Sequence, residues 1–211
     1  MSLYSRSDYQ IARRAFHLSM GLGAGLMYHY FFDRRQALSI LAISVGVFYI
    51  LEQIRIHYSH YIIRIVPTIR YLLRAEEQSR ESAGIPYAIG LLLTVACFPK
   101  LTSLVAIFAL ALSDPIAAVI GIRFGRHKWQ KRGRGKSIEG SLAFFLSLVG
   151  IVFIVHCGLY DYSFFDTLSV AMAVALVSSA FEIAPLKLDD NLSIPLAIAA
   201  IHWTATAIAG Y

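Results

Sequence analysis

The chain is a succession of long apolar segments that are separated by short polar stretches. Seven of these segments are close to the length of about 17 to 25 residues that a helix needs to cross the hydrocarbon core of a bilayer. They are Phe16–Phe32, Ala37–Leu51, Ile85–Phe98, Leu101–Ile122, Leu142–Cys157, Phe165–Ile183 and Leu192–Ala209. Hydrophobic residues make up 57% of the chain and charged residues 15%, a balance that excludes an ordinary soluble enzyme and a disordered chain. We therefore predict an all-α, polytopic membrane protein with about seven transmembrane helices, in a single domain that covers residues 1–211.

The basic residues indicate how the chain is oriented. The net charge of +6 is compatible with a nucleic-acid partner, but the basic residues flank the apolar segments. If the N-terminus is cytosolic, only Arg34, Arg35 and Lys100 of the 19 Lys and Arg residues lie on the outer side. The positive-inside rule therefore predicts a cytosolic N-terminus and an outer C-terminus. We expect membrane lipids as partners and no nucleic acid, and the apolar exterior is compatible with a homodimer.

The longest polar connection, from Glu52 to Gly84, contains a different pattern. Apolar residues recur in it at helical spacing, while Arg64, Arg70 and Arg74 fall away from that stripe. This pattern predicts a helix that lies in the cytosolic interface of the membrane. Two roles are open for it: anchorage on anionic lipid, or a gate through which a lipid substrate enters.

Asp114 is the first candidate for chemistry. An ionisable residue inside an apolar span costs about 2.5 to 3.5 kcal/mol, so it is retained mainly where it faces a polar cavity. The next residue is Pro115, which lacks an N–H and disfavours a helical residue before it. We therefore expect the helix to break here and a half-helix, capped by Ser113 or Asp114, to begin. Metal or nucleotide binding by Asp114 and a capping role in a kinked helix are both open.

The connection that follows this span is rich in Gly, Arg and Lys. Gly121 and Gly125, taken alone, match the small-xxx-small pattern of helix packing. The residues that follow, from Arg126 to Ser137, include several Arg and Lys residues. Their cationic side chains and backbone N–H groups suit the binding of phosphate groups. The spacing is not that of a P-loop, and a basic loop also serves as a determinant of membrane topology. Glu139 is the single acidic residue of the stretch 126–140.

Two further polar clusters are predicted at the same face of the membrane. One of them brings three carboxylates and one amide together within ten residues. Its members are Glu182, Asp189, Asp190 and Asn191. Mg²⁺ prefers such oxygen ligands, although a polar loop that caps the last helix is the alternative. The other cluster is formed where Arg13, Arg14 and His17 lead the first span and where Glu52 and Arg55 end the second. Beside the acidic clusters and the basic loop, these residues are expected to line one polar cavity.

These motifs resemble the CTP-dependent lipid kinases: dolichol (polyprenol) kinase, phytol kinase and CTP-dependent diacylglycerol kinase. The resemblance rests on three motifs in chain order and covers nearly the whole chain. The motifs are Asp114-Pro-Ile-Ala-Ala-Val-Ile-Gly-Ile-Arg-Phe-Gly125, Gly135-Lys-Ser-Ile-Glu-Gly-Ser141, and Glu182 with Asp189-Asp-Asn-Leu-Ser-Ile-Pro195. The pairs Arg14-x-x-His17 and Glu52-x-x-Arg55 also look like family positions.

The resemblance implies a Mg²⁺-assisted transfer of phosphate from CTP to a lipid alcohol, such as a polyprenol, dolichol or phytol, at the cytosolic face. It implies a catalytic role for Asp114, with Glu139 as the first candidate for the general base and His17 as the second. The residues implied for the nucleotide are Gly121, Gly125, Arg126, Arg134, Lys136, Ser137 and Gly140. Those implied for the metal are Asp114, Glu182, Asp189 and Asp190. Those implied for the lipid substrate are Arg14, Glu52, Arg55 and Asn191.

Two other functions are open. The CTP:phosphatidate cytidylyltransferases have a similar Asp-x-x-Ala-x-x-x-Gly-x-x-x-Gly and Lys-x-x-Glu-Gly arrangement. Their later Lys-Asp and His-Gly-Gly-x-x-Asp-Arg signature is replaced here by Asp189-Asp-Asn-Leu-Ser-Ile-Pro195, which favours a kinase. A small transporter or channel would need a polar path across the membrane, whereas the predicted polar clusters lie in the cytosolic half.

Overall fold

The computed structural model of the protein is a bundle of helices. It describes residues 6–58, 82–129, 136–184 and 188–210. The helices are α1 (Arg6–Tyr30), α2 (Arg34–His57), α3 (Gly84–Cys97), α4 (Lys100–Phe108), α5 (Asp114–Arg123), α6 (Ile138–Phe153), α7 (Phe164–Ile183) and α8 (Asp190–Ala209). A π-helical turn, Ala109–Ser113, joins α4 to α5, and a second one, Ile154–Leu159, extends α6. The prediction of an all-α fold is therefore confirmed over the described ranges.

Among the residues that the structure describes, five helices are long and apolar enough to cross a membrane. They are Arg34–His57, Lys100–Arg123, Ile138–Leu159, Phe164–Ile183 and Asp190–Ala209. The helix Gly84–Cys97 is apolar but shorter, and α1 includes residues 16–30 of the first predicted segment. The count of seven spans stays a prediction. The interfacial helix also stays one, because residues 59–81 of its segment lie outside the described residues.

The expected break at Asp114 was wrong. The helix runs without interruption from Lys100 to Arg123, and a π-helical turn directly precedes Asp114. A proline inside a helix removes one backbone hydrogen bond, and its ring clashes with the carbonyl four residues earlier. The wider π-helical turn relieves both constraints at Pro115 by admitting one extra residue. The expected cap is also not formed, because Ser113 has helical backbone angles and its side chain makes no capping hydrogen bond.

The helix formed by α4, the π-helical turn and α5 is the centre of the bundle. Helix α4 packs against α1 and α8, and α5 packs against α6. Leu104, Val105 and Ala106 of α4 are fully buried. The close contact with α1 depends on Gly21, because a Cβ at that position would lie 2.6 Å from the Cβ of Ala111. This contact brings the first half of α1 beside Asp114.

One end of the bundle is closed by two basic side chains. The ammonium of Lys100 donates hydrogen bonds to the carbonyls of His29, at 3.2 Å, and Phe32, at 3.0 Å. The guanidinium of Arg34 donates to the carbonyl of Val95 at 3.1 Å. The last carbonyls of a helix have no partner within the helix and carry partial negative charge, so both cations stabilise the ends of helices. We call this end, marked by Arg34 and Lys100, the capped end.

Candidate active site

A cavity of about 530 Å³ lies at the other end of the bundle, between α1, α5, α6, α7 and α8. Its volume is within the range of about 300 to 1,000 Å³ that is typical of ligand sites. Eleven of the residues predicted from the sequence line it. They are Arg14, His17, Asp114, Gly121, Lys136, Ser137, Gly140, Glu182, Asp189, Asp190 and Asn191. We call this end the cavity end.

The acidic side of the cavity is formed by three different helices. Asp114 is the first residue of α5 and is half-buried, and Glu182 lies buried in the last turn of α7. Asp189 caps α8, because its Oδ1 accepts a hydrogen bond of 2.9 Å from the N–H of Asn191. Asp190 follows in the first turn of α8. The charges of Asp190 and Glu182 both act on Asp114, so the cavity concentrates negative charge at one place.

Lys136 neutralises part of this negative charge. Its Nζ lies 2.9 Å from Oε1 of Glu182 and 3.7 Å from Oδ2 of Asp190. It also donates a hydrogen bond to the backbone carbonyl of Glu182. Arg13 and Arg14 of α1 line the same cavity. Cations and carboxylates therefore face one enclosed space, as a site for a phosphate ester with a metal ion requires.

The carboxylate of Glu182 also accepts a hydrogen bond from a chain of side chains that the sequence did not indicate. The indole Nε1 of Trp129 donates to Oγ of Ser141 at 3.2 Å, and this hydroxyl donates to Oε2 of Glu182 at 3.3 Å. Ser141, the last residue of the second motif, also lines the cavity. No pattern in the sequence relates Trp129 to Glu182, because the contact depends on how α6 and α7 pack.

The three motif glycines surround the hydroxyl of Ser137. A Cβ on Gly121, Gly125 or Gly140 would lie 3.1, 2.6 or 3.2 Å from that oxygen. The same oxygen accepts a hydrogen bond of 3.1 Å from the N–H of Gly140 and so caps α6. The glycines therefore allow the start of α6 to approach α5 closely. This contact supports the packing interpretation of Gly121 and Gly125, and a role in nucleotide binding stays a prediction.

Several predicted site residues are not brought to the cavity wall. Gly125 and Arg126 in the α5–α6 connection and Glu139 in the first turn of α6 are not among its lining residues. The carboxylate of Glu139 accepts a hydrogen bond of 2.8 Å from Nδ1 of His127. Arg134 lies outside the described residues.

Glu52 and Arg55 form a buried ion pair on the last turns of α2. The guanidinium donates two hydrogen bonds to the carboxylate, at 2.8 and 2.7 Å. Oε1 of Glu52 also accepts a hydrogen bond of 2.5 Å from the N–H of Ser82, just before α3 begins. Neither side chain lines the cavity. These contacts join α2 to α3, and the predicted role in substrate binding stays untested.

The acidic residues have the right chemistry for Mg²⁺ but are not assembled as a complete site. Within residues 6–58, 82–129, 136–184 and 188–210, no group of three or more His, Cys, Asp or Glu side chains is placed to hold a metal. Mg²⁺ usually takes one or two carboxylates and fills its remaining positions with water and substrate phosphates. The carboxylates of Asp114, Glu182, Asp189 and Asp190 therefore fit a Mg²⁺ ion that binds together with a nucleotide.

Arg13, which the sequence groups with Arg14 and His17 at the start of the first span, also lines the cavity. The structure adds lining residues that the sequence did not single out as site residues. Pro115, Ala117, Ala118 and Ile122 extend the wall along α5. The apolar wall residues could not be recognised, because they look like any other residues of a membrane helix.

Comparison with known proteins identifies relatives of the chain. It is 30% identical over 146 residues to CTP-dependent diacylglycerol kinase 1 of Saccharomyces cerevisiae, which covers 69% of this chain and 49% of that protein. It is 36% identical over 141 residues to phytol kinase of Synechocystis sp., covering 62% of this chain and 58% of that protein. An uncharacterized protein of Rickettsia prowazekii is 30% identical over 194 residues, 90% of this chain and 91% of that protein.

The chain belongs to the CTP-dependent lipid kinase family. It spans about half the length of the two named kinases that it matches and most of the length of the Rickettsia protein. Neither a family model nor a solved structure matches it. The family membership agrees with the resemblance inferred from the three motifs.

Proposed function

We propose that this protein is an integral membrane enzyme that transfers the γ-phosphoryl group of CTP to the hydroxyl group of a lipid alcohol. The observation that carries the proposal is one cavity that is lined by Asp114, Glu182, Asp189 and Asp190 and in which Lys136 pairs with Glu182 and Asp190. The named relatives are a diacylglycerol kinase and a phytol kinase, and both names describe lipids with a free hydroxyl group. We further propose that the acceptor is an isoprenoid alcohol, such as a polyprenol, dolichol or phytol.

The cationic residues are assigned to the phosphate groups of CTP. Lys136 reaches into the cavity from the start of α6, and Arg13 and Arg14 approach from α1. Phosphoryl transfer depends mainly on alignment and on neutralisation of charge, which these side chains provide. A Mg²⁺ ion held by Asp114 and the carboxylates of the α7–α8 region would neutralise further charge on the phosphates. Because the positive-inside rule orients the chain, the cavity end is placed at the cytosolic face.

We assign His17 as the general base that accepts the proton of the acceptor hydroxyl. Of the two bases predicted from the sequence, His17 lines the cavity and Glu139 does not. The imidazole packs against the ring of Tyr87, with ring centroids 4.6 Å apart, and Tyr87 donates a hydrogen bond of 3.0 Å to the carbonyl of His17. These two contacts hold the histidine in place on α1, and a histidine titrates near neutral pH.

The apolar side of the cavity supports a lipid acceptor. Ile122 lines the cavity and is nevertheless 67% exposed, on a helix that is apolar enough to cross a membrane. We therefore place the entry of the lipid acceptor beside Ile122 on α5. A lipid alcohol whose tail stays in the membrane would enter by this side, while CTP would reach the cavity from the aqueous side.

The experiment is a transfer assay with purified protein in detergent and Mg²⁺. CTP or ATP labelled at the γ-phosphate is supplied with phytol, geranylgeraniol, a long polyprenol or diacylglycerol, and label in the lipid is measured. We expect CTP to label an isoprenoid alcohol and Asp114→Asn to abolish the labelling. The matched control is Asp166→Asn, which changes an exposed carboxylate in the first turn of α7 and should leave the rate unchanged.

Four results would overturn all or part of the proposal. Labelling of diacylglycerol alone would keep the kinase and remove the isoprenoid acceptor. Transfer from α-labelled CTP to phosphatidate, without γ-transfer, would indicate a cytidylyltransferase. An Asp114→Asn protein that folds and keeps full activity would remove Asp114 from the site, and failure of both transfers would favour a transporter.

A further inference from the structure

The carboxylate of Glu139 accepts hydrogen bonds from two residues of the α5–α6 connection. Its Oε1 accepts hydrogen bonds from the backbone N–H of Arg126 at 3.0 Å, from that of His127 at 3.2 Å, and from Nδ1 of His127 at 2.8 Å. Glu139 lies in the first turn of α6. Its hydrogen bonds therefore connect Arg126 and His127, which follow α5, to the start of α6. A base must come within about 2.6 to 3.2 Å of the proton that it accepts, and this carboxylate already holds other donors.

Two backbone hydrogen bonds continue the connection from Glu139 towards Lys136. The N–H of Ile138 donates to the carbonyl of His127 at 2.9 Å, and the N–H of Trp129 donates to the carbonyl of Lys136 at 3.1 Å. These bonds pair residues 127–129 with residues 136–138 in antiparallel fashion around a bridge between Lys128 and Ser137. The backbone of Lys136 is therefore held at the point from which its side chain reaches the cavity.

We propose that Glu139 is a positioning residue that acts through this paired segment on Lys136, and not the general base. The proposal rests on the proposed function, because it assigns the paired segment to the binding of CTP phosphates by Lys136. The ammonium of Lys136 lies 2.9 Å from Glu182, so a shift of its backbone would move the cation relative to the acidic residues of the cavity. The loss of Glu139 should therefore weaken CTP binding more than it slows the chemical step.

Two substitutions of Glu139 distinguish positioning from base catalysis. In Glu139→Gln the amide oxygen can take the place of Oε1, which accepts all three of the hydrogen bonds described above. Such a variant loses the charge and should change the KM for CTP by no more than about threefold. Glu139→Ala removes the acceptor and should raise the KM for CTP by about 10- to 100-fold, with a smaller effect on kcat.

A general base gives a different result in the same assay. Both variants would then lose about 10²- to 10⁴-fold in kcat, since neither an amide nor a methyl group accepts the proton. The pH profile of kcat provides a second readout. We expect Glu139→Gln to keep the wild-type profile, whereas loss of one limb of that profile would overturn the proposal. His127→Ala is the second variant if Glu139→Ala does not fold, and it should raise the KM for CTP without changing kcat.

Binding of CTP, measured by thermal stabilisation without acceptor lipid, separates this proposal from the proposed function. If the wild-type protein binds CTP but phosphorylates no lipid, the kinase proposal fails, and weaker binding by Glu139→Ala than by Glu139→Gln still supports positioning. Equal CTP affinity in all three proteins would overturn positioning. If the wild-type protein binds no CTP, both proposals fail. The control is Asp166→Ala at the capped end, which should bind CTP as the wild type does.

Discussion

The buried ion pair of Glu52 and Arg55 gives the sharpest test of how the structure is held together. The sequence assigned both residues to substrate binding, but their contacts join the end of α2 to the start of α3. The two residues are 4% and 5% exposed, and two hydrogen bonds connect their side chains. Replacing Arg55 with Met removes the guanidinium and leaves the Glu52 carboxylate buried with its backbone donor at Ser82.

The magnitude follows from the burial of the pair. Removal of one partner from a buried ion pair costs about 3 to 5 kcal/mol, because the other charge remains in a medium that solvates it poorly. For a chain of this length, 1 kcal/mol corresponds to about 2 to 4 °C in the melting temperature. We therefore expect Arg55→Met to melt about 6 to 20 °C below the wild-type protein. The double variant Glu52→Gln/Arg55→Met should recover part of this loss, since no buried charge is left.

The assay is thermal unfolding of the purified protein in detergent, combined with the KM for the acceptor lipid. Arg35→Met is the matched control, because Arg35 is an exposed residue in the first turn of α2, and it should change stability by less than about 0.5 kcal/mol. An Arg55→Met protein that melts like the wild type, but has a raised KM for the lipid, would refute the structural role. It would support the role in substrate binding that the sequence suggested.

Two other substitutions test the cavity and its packing. Lys136→Met should lower kcat/KM for CTP by about 10²- to 10³-fold in the transfer assay. It should also tighten the binding of Mn²⁺ without nucleotide, measured by electron paramagnetic resonance, because the Lys136 ammonium no longer neutralises Glu182; unchanged Mn²⁺ affinity would contradict this. Gly90→Ala should destabilise the protein by about 1 to 3 kcal/mol in thermal unfolding, since its Cβ would lie 2.6 Å from the carbonyl oxygen of Asn191. Gly46→Ala, whose Cβ would meet no atom within 4 Å, is the control and should not destabilise the protein.

The helices could be predicted from the sequence because their signal is local. An apolar segment such as Phe165–Ile183 forms a helix of nearly the same bounds, Phe164–Ile183, wherever it packs. The irregularity before Asp114 is different. Pro115 indicated that the helix is perturbed there, but a break and a π-helical turn satisfy the same local constraint. Only the packing of α4 and α5 in the centre of the bundle favours the continuous helix.

The membership of the site could be predicted better than the orientation of its side chains. The motifs placed Asp114, Lys136 and Glu182 at one membrane face, and the structure brings all three to one cavity. The direction of Glu139 could not be predicted, because it depends on where the chain returns between α5 and α6. The contact of Trp129 with Ser141 was missed for the same reason. Both contacts join residues that do not share a helix or strand, so no periodic pattern of the sequence indicates them.

The two ends of the bundle show why charge alone does not identify a site in a membrane protein. At the capped end, Lys100 and Arg34 donate to carbonyls at the ends of neighbouring helices, so their charges are used in holding the fold. At the cavity end, Lys136 faces the carboxylates of Glu182 and Asp190 across an enclosed space. A ligand that brings both phosphates and a divalent cation can replace this pairing with two new ones, Lys136 with phosphate and carboxylate with metal. A ligand that brings only one of the two charges leaves one set of groups without its partner. The arrangement therefore favours a metal–nucleotide complex over either component alone.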